Sequence, residues 1–296
     1  MTSLPHRLQS RARRAAAGGA LRLGVQPVDI VRPVFIIGCG RSGTTILGRL
    51  LSMHPDVVYL NEPRHIWALR PASDVWSAKA AGGGKLALTR DDATPAVAAR
   101  IRRAFVVEMH LQGGHQLVEK LPANSFRIGY VAAIFPDARF IHLVRDGMEV
   151  AASIERQAGL GHWFGVDDYK WRQLVDYAAT QGLAGLVPLC TSDFRRGLLE
   201  WRLAVDTIES MCGDLAPDSY IRLRYEELVA RPLESCETLE TWLPARHSAE
   251  MASFAAGSIT DRSKGVGTRP YDTTAEAIAG VTLRALGYGR AVTESS

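Results

Sequence analysis

The sequence has little lysine, few cysteines and no long apolar run. No stretch approaches the roughly 20 consecutive apolar residues that a membrane-spanning helix needs, and no apolar signal region follows the first arginines. No C-x-x-C pair occurs, which argues against a disulfide framework or a zinc knuckle. These absences predict a cytoplasmic protein without a membrane span, whose thiols are reduced and mostly buried. The cysteines are Cys39, Cys190, Cys212 and Cys236.

The excess of basic charge is concentrated at the N-terminus. The formal net charge is +4, from 35 basic and 31 acidic residues. Five arginines precede the first acidic residue, Asp29, and the rest of the chain carries 30 basic and 31 acidic residues. The net charge therefore gives no reason to expect a nucleic-acid partner. We expect residues 1–28 to form a disordered basic leader; a weakly helical surface-binding arm and a transit-like segment are the alternatives.

Beyond the leader, short apolar strands alternate with helical patterns. The run Val34–Ile37 is continuous and apolar, as in strands buried on both faces of a parallel sheet. Further strands are predicted over 56–60, 115–122, 138–146 and 220–228. Helices are predicted over 96–111, 124–136, 147–157, 193–212 and 232–243, with one more closing the chain. The alternation predicts a single α/β domain over residues 29–296, with a central parallel sheet flanked by helices.

Two segments interrupt this alternation. Residues 70–98 contain Pro71, a run of three glycines and Pro95, and are expected to form an insertion or a mobile loop with little core. Residues 159–190 are rich in aromatic side chains and glycine. Those aromatics fit either a binding surface or a peripheral core.

The segment GCGRSGTT, from Gly38 to Thr45, has the Gly-x-x-x-x-Gly frame of a phosphate-binding loop between a strand and a helix. In such a loop, successive backbone N–H groups and the helix N-terminus bind an anion. Thr44 stands where nucleotide triphosphatases have lysine, and Arg41 supplies a cation from within the loop. No acidic residue is clearly placed to hold magnesium, since the nearest candidate, Asp146, directly follows an arginine. A plain glycine turn is the alternative, but the pattern favours anion binding without a metal.

Further motifs follow this loop along the chain. In order, they are HPDV (54–57), NEPR (61–64), VEKLP (118–122), FPDARFIHLVRDG (135–147) and RLRYEEL (222–228). Together with RSGTT (41–45), they resemble the sulfotransferases that use 3′-phosphoadenosine 5′-phosphosulfate (PAPS), most closely the tyrosylprotein sulfotransferase-like and bacterial members. The resemblance spans residues 33–230 and implies a P-loop-type α/β domain with PAPS as the sulfuryl donor and no metal.

The resemblance implies that the loop holds the 5′-phosphosulfate of the donor. Backbone N–H groups and one guanidinium suit such a dianionic group. The residues assigned to this role are Arg41, Ser42, Gly43, Thr44 and Thr45.

The resemblance implies a second donor site, where Arg145 at a strand end and Ser153 on the next helix hold the 3′-phosphate. Eight residues separate them, about two helical turns, so both side chains can meet one phosphate. A salt-bridged strand end is the alternative for Arg145, and a small packing residue is the alternative for Ser153.

Glu62 and Lys120 match the residues that the family uses for chemistry. Glu62 stands in the place of the general base, where a carboxylate at the end of a strand takes the proton of an acceptor hydroxyl. Lys120 matches a lysine beside the bridging oxygen, where negative charge grows as the bond to the leaving phosphate breaks. A loop carboxylate and a solvated surface lysine are the corresponding alternatives.

Three assignments rest on shorter matches. Ser263 matches a serine near the transferring group, and Lys264 would add charge in the same glycine-rich stretch, which the family wraps around the nucleotide. Tyr225 follows a strand and either contacts the nucleotide or belongs to the core. Two basic residues of the family pattern are missing, because Gln157 and Ile278 stand at their positions.

Together the motifs predict an enzyme that transfers a sulfuryl group from PAPS to a hydroxyl of a small metabolite or glycan. Segments 64–115 and 159–190 are expected to form the acceptor side. A P-loop nucleotide kinase is the first alternative, which Thr44 and the missing magnesium ligand disfavour. The second is a non-catalytic nucleotide-binding protein of the same fold, which the pair Glu62 and Lys120 disfavours. The sequence gives no indication of the oligomeric state.

Overall fold

The computed structural model describes residues 30–69, 71–161, 163–213, 215–243, 245–260 and 269–293. The expectations for the leader, residues 1–28, and for Ser263 and Lys264 lie outside these ranges.

Five parallel strands form one sheet, in the order β2-β3-β1-β4-β5. They are β1 (Val34–Ile37), β2 (Val57–Asn61), β3 (Gln116–Lys120), β4 (Arg139–Val144) and β5 (Tyr220–Arg224). Each overlaps a predicted strand, and the predicted α/β class with a central parallel sheet is confirmed. Because all strands run the same way, the loops after them meet at one edge of the sheet.

Eleven helices are formed by the described residues. The first six are α1 (Thr44–Leu51), α2 (Arg64–Trp67), α3 (Pro95–Gln112), α4 (Ile128–Ile134), α5 (Gly147–Gly159) and α6 (Tyr169–Thr180). The others are α7 (Asp193–Cys212), α8 (Tyr225–Ala230), α9 (Pro232–Trp242), α10 (Ala249–Ser258) and α11 (Thr273–Ala285). The predicted strand over 220–228 is wrong in its second half, where α8 forms. Glu226 and Glu227 lie in the first turn of that helix, where carboxylates are stabilised by the helix dipole.

Both faces of the sheet are buried under helices. Val34 and Ile36 of β1 pack with α1 and α9 on one face, whereas Phe35 and Ile37 pack with α3 and α4 on the other. The alternation follows from the two-residue period of a strand. All four residues of β1 are fully buried, which explains why this strand reads as a continuous apolar run.

Residues 70–98 contribute core residues, contrary to the expectation of a mobile loop with little core. Val75, Leu86 and Leu88 are buried. The buried Arg127 fixes the segment, because its Nε donates to Leu86 O and its Nη2 donates to Ser73 O, each at 2.8 Å. Val75, Leu86 and Leu88 lie in irregular stretches between short 3-10 turns, so the sequence shows no period that would reveal them.

Most aromatics of residues 159–190 belong to the core. Phe164 and Trp171 are buried in a T-shaped pair at 5.8 Å, and Tyr177 packs at the edge of the same cluster. Trp163 is only partly buried and lines a cavity.

The structure tests the expected state of the cysteines and the expected lack of a membrane-spanning helix. All four cysteines are free and buried, as predicted. In the part of the chain that the structure describes, no helix combines the length and apolarity that crossing a membrane requires.

Candidate active site

The anion loop turns directly from β1 into α1 at the carboxyl edge of the sheet. Gly43 has φ of 95°, in the left-handed region, and a Cβ there would lie 2.5 Å from the ring of Tyr225. Only glycine combines that backbone with so close an approach. Arg41 also has a left-handed backbone, with φ of 76°. The loop is thus held in a strained shape, which is common where backbone groups face a ligand.

The loop residues assigned to the donor do not all face the same space. Gly43, Thr44 and Thr45 line a cavity together with Arg41. Ser42 is buried, and its N–H donates to Cys39 O at 3.1 Å. The Ser42 amide therefore closes the turn. Of the five assigned residues, Ser42 has the weakest structural support.

Sheet register brings Arg145 and Tyr225 together. Val144 is paired with Arg224, so the residues that follow β4 and β5 are neighbours. The guanidinium of Arg145 lies 4.2 Å from the centre of the Tyr225 ring, donates to Arg41 O at 3.3 Å and pairs with Glu149 at 2.6 Å. Tyr225 thus supports both the loop, through Gly43, and the arginine assigned to the 3′-phosphate.

Arg41 connects the loop to the second predicted phosphate site. Its Nε donates to Ser153 Oγ at 3.1 Å, and among the described residues no carboxylate pairs with it. Burial, with the nearby charges of Arg156 and Arg145, lowers the pKa of Arg41 from its ordinary value. Positive charges are crowded here, and a bound anion would relieve their repulsion.

These residues surround a cavity of about 360 Å³, called here the donor cavity. Among the described residues that line it, six are arginines and one, Glu149, is an acid. The arginines are Arg41, Arg49, Arg145, Arg156, Arg269 and Arg290. Neither Arg49 nor Arg156 has a carboxylate partner in the described part of the chain. The cavity suits a ligand with several negative charges.

Sequence reasoning did not assign Arg49, Arg156 or Arg290 to a site. Helical spacing offered a signal for the first two, since Arg49 lies four residues after Thr45 and Arg156 lies three after Ser153. Arg290 follows α11, and nothing in its local sequence points to the cavity.

Lys120 lies between the anion loop and Glu62. Its Nζ donates to Thr45 Oγ1 at 3.0 Å and to Glu62 Oε1 at 2.8 Å. The lysine is only 1% exposed, which rules out the solvated surface lysine. Register again explains the proximity, because Asn61 at the end of β2 is paired with Lys120 at the end of β3.

The backbone and the neighbours of Glu62 fix its carboxylate. The residue has φ of 49°, a left-handed value that is rare for a side chain of this size. Its N–H donates to Lys120 O at 2.7 Å, and its Oε2 accepts from Arg64 at 2.8 Å. Burial alone would raise the pKa of Glu62, but the hydrogen bonds and charges of Lys120 and Arg64 together lower it below its ordinary value. The group is ionised at neutral pH.

A second cavity, the acceptor cavity, opens on the other side of Glu62 and measures about 410 Å³. Its walls come from both segments that the sequence assigned to the acceptor side. Residues 64–115 contribute Arg64, Trp76 and Leu86, and residues 159–190 contribute Gly161, Trp163 and Lys170. Phe126 and Pro122 add further apolar surface.

A buried ion pair supports one wall of the acceptor cavity. Lys170 and Glu200 are paired at 2.6 Å, and the Nε1 of Trp163 donates to the same carboxylate at 3.0 Å. The Lys170 ammonium lies 4.4 Å from the centre of the Trp163 ring. A Cβ on Gly40 would lie 2.8 Å from the edge of that ring, so Trp163 is held directly against the anion loop.

The two residues that stand in place of basic residues of the family pattern lie in different parts of the structure. Gln157 lines the acceptor cavity, and Ile278 is fully buried in the core. Neither supplies charge to the donor cavity, but Arg156 and Arg290 do.

Comparison with known proteins assigns this chain to a family. A profile of the sulfotransferase family matches residues 33–247. This chain belongs to the sulfotransferase family. Among its relatives, protein-tyrosine sulfotransferase 1 of Danio rerio is 30% identical over 214 residues, which cover 71% of this chain and 52% of that protein. Protein-tyrosine sulfotransferase 2 of Gallus gallus is 26% identical over 71% of this chain and 50% of its own length. The sulfotransferase chain described here thus spans about half the length of these relatives.

Solved structures show the same sulfotransferase fold at low sequence identity. The sulfotransferase domain of the curacin biosynthetic pathway has a TM-score of 0.54 and 16% identity, and covers 88% of this chain and 99% of its own. Sulfotransferase STF9 of Mycobacterium avium has a TM-score of 0.56 and 16% identity, and covers 94% and 83%. The P-loop-type architecture predicted from the sequence is thereby confirmed.

Proposed function

We propose that this protein transfers a sulfuryl group from PAPS to the hydroxyl of an acceptor bound in the acceptor cavity. The observation that carries the proposal is the position of Lys120. One ammonium group is bonded both to Thr45 of the anion loop and to Glu62 at the acceptor cavity. A cation placed there lies where donor and acceptor must meet.

The donor cavity fits a doubly phosphorylated nucleotide that carries a sulfuryl group. Six arginines face one acid among its described residues, and the guanidinium of Arg41 lacks a carboxylate partner there. Arg145 and Ser153 would hold the 3′-phosphate, and the loop from Arg41 to Thr45 would hold the 5′-phosphosulfate. Ser263 and Lys264 are assigned to the reaction centre and the nucleotide by the family resemblance alone.

Glu62 would act as the general base. Its ionised carboxylate would take the proton of the acceptor hydroxyl as the acceptor oxygen bonds to sulfur. The sulfur–oxygen bond to the phosphate breaks, and the electron pair stays on the bridging oxygen of the leaving 3′-phosphoadenosine 5′-phosphate (PAP). Lys120 would stabilise the charge that grows on that oxygen.

The geometry disfavours a nucleotide kinase. Thr44 occupies the position of the kinase lysine. Asp146, the nearest candidate for a magnesium ligand, accepts from the N–H of Met148 at 2.9 Å and pairs with Arg290. Its carboxylate therefore caps α5 and is paired with an arginine, so it is not free to bind magnesium.

We propose a small metabolite with a hydroxyl on an aromatic or apolar body as the acceptor. Trp76, Phe126 and Trp163 give the acceptor cavity aromatic walls, and rings stack well on such surfaces. A sugar hydroxyl of a glycan is compatible with the same walls. The second candidate is a tyrosyl hydroxyl of a protein, which the names of the relatives favour. Cytoplasmic localisation stays a prediction, with which four free thiols agree.

Two assays test the proposal. In the first, calorimetry compares PAP, ADP and ATP with and without Mg²⁺; we expect PAP to bind most tightly, with no need for Mg²⁺. Tighter binding of ATP with Mg²⁺ would overturn the sulfotransferase reading in favour of a kinase. In the second, ³⁵S-labelled PAPS is incubated with a simple phenol, a free sugar and a tyrosine-containing peptide. Labelling of the phenol supports the proposed acceptor, whereas labelling of the peptide alone supports the second candidate.

A further inference from the structure

The chain segment after α11 is fixed beside the donor cavity. Tyr288 is buried, and its hydroxyl donates to Glu226 Oε2 at 2.7 Å. The guanidinium of Arg224 lies 4.2 Å from the Tyr288 ring and donates to Leu286 O at 2.6 Å. Because Arg224 ends β5, the segment is attached to the edge of the sheet where the site is built.

This attachment places Arg290 in the wall of the donor cavity. Its guanidinium pairs with Asp146, the residue directly after Arg145 and the N-cap of α5. The N–H of Asp146 in turn donates to Glu226 Oε1 at 3.0 Å. Tyr288 and Asp146 therefore both donate to the carboxylate of Glu226, and Arg290 is held close to the predicted 3′-phosphate site.

The position of Arg290 indicates which end of the nucleotide it can reach. The 5′ end is assigned to the loop near Thr45 and Lys120, at the opening towards Glu62. Arg290 lies instead at the start of α5, the helix that carries Ser153. It also lies beyond residues 33–247, the part of the chain that matches the family profile.

We infer that Arg290 is a nucleotide-binding residue that holds the 3′-phosphate together with Arg145 and Ser153. It supplies charge that the family pattern places at two other positions, now Gln157 and the buried Ile278. The pair with Asp146 orients the guanidinium in advance, which lowers the cost of ordering it on binding. The inference rests on the proposed function, because it presupposes a donor with a 3′-phosphate.

Binding of PAP and AMP to Arg290→Gln tests this inference, since the two nucleotides differ only in the 3′-phosphate. A hydrogen bond to a charged group predicts a loss of about 10- to 100-fold in PAP affinity, with AMP affinity unchanged. Arg284→Gln is the matched control, because Arg284 on α11 is also paired with a carboxylate, Glu276, but is absent from the donor cavity. It should bind PAP like the wild type.

Three results would overturn the inference alone. Unchanged PAP affinity in Arg290→Gln would show that the side chain does not contact the nucleotide. An equal loss for PAP and AMP would place its effect elsewhere, for example on the cap of α5. If Arg290→Gln melts at a much lower temperature than the wild type, Arg290→Lys is measured instead. A PAP affinity of Arg290→Lys outside the range between the wild-type affinity and the affinity of the glutamine variant would contradict the inference. Wild-type protein without preference for PAP over AMP would instead contradict the proposed function itself, and this inference with it.

Discussion

Replacing Glu62 by Gln should abolish most of the transfer activity and leave donor binding intact. The amide has nearly the size of the carboxylate, and its oxygen can still accept from Lys120, which lies 2.8 Å from Glu62 Oε1. The amide, however, cannot take the proton of the acceptor hydroxyl. General-base catalysis contributes about 10²- to 10⁴-fold in rate, so kcat should fall by that factor. This corresponds to a rise of about 3 to 5 kcal/mol in activation free energy. Glu62 lines the acceptor cavity and not the donor cavity, so the Kd of PAP should stay the same.

The assay measures transfer from saturating ³⁵S-labelled PAPS, PAP binding by calorimetry and the melting temperature on the same preparations. Glu234→Gln serves as the control, since this carboxylate is 66% exposed on α9, where it pairs with Arg231. The pH profile adds a second readout. Lys120 and Arg64 hold the pKa of Glu62 below its ordinary value, so the wild-type rate should not change with its ionisation around neutral pH and should fall as the pH drops through that pKa. Wild-type activity in Glu62→Gln would refute the assignment of the base.

Four further changes test other parts of the structure. Arg145→Ala should weaken PAP binding about 10- to 100-fold while AMP binding is unaffected, and equal losses for both nucleotides in calorimetry would argue against a 3′-phosphate contact. Gly43→Ala should lower the free energy of unfolding by more than about 1 kcal/mol, because its Cβ would meet the ring of Tyr225 at 2.5 Å; an unchanged denaturation midpoint would contradict this. Burial raises the pKa of Glu119 to about 8, so the free energy of unfolding should fall as the pH rises from about 5 to 8, by about 1.4 kcal/mol per pH unit. Glu119→Gln should abolish this pH dependence, and melting temperatures of the two proteins that fall in parallel with rising pH would count against it. Trp163→Ala should raise the KM of the acceptor without changing the Kd of PAP, and the reverse pattern would place the indole in the donor site.

The sequence predicted the parts of the molecule in which local pattern and structure coincide. The buried strand Val34–Ile37 and the loop up to Thr45 follow directly from an apolar run and a glycine frame. The meeting of Glu62 with Lys120 needed more, since it depends on the pairing of Asn61 with Lys120 in neighbouring strands. Neither strand order nor register is written in a single sequence, so that proximity came only from the family resemblance.

Other features were missed because long-range contacts decide them. Residues 70–98 look like a loop in sequence, but Arg127 bonds to carbonyl groups of that segment and holds its apolar side chains in the core. Residues 225–228 directly continue a strand pattern in the sequence, yet the chain turns there into α8. Arg290 reaches the donor cavity through long-range contacts of its segment, such as the bond from Tyr288 to Glu226, 62 residues earlier in the chain.

The contact between Gly40 and Trp163 couples the side chains that positions 40 and 163 can accommodate. The indole fills the space that any larger residue at position 40 would need, and it also forms a wall of the acceptor cavity. A change of acceptor that requires a different side chain at position 163 therefore alters what the anion loop can tolerate. In related proteins, a smaller residue at position 163 should accompany side chains larger than glycine at position 40, so these two positions should be exchanged as a pair when the acceptor cavity is redesigned.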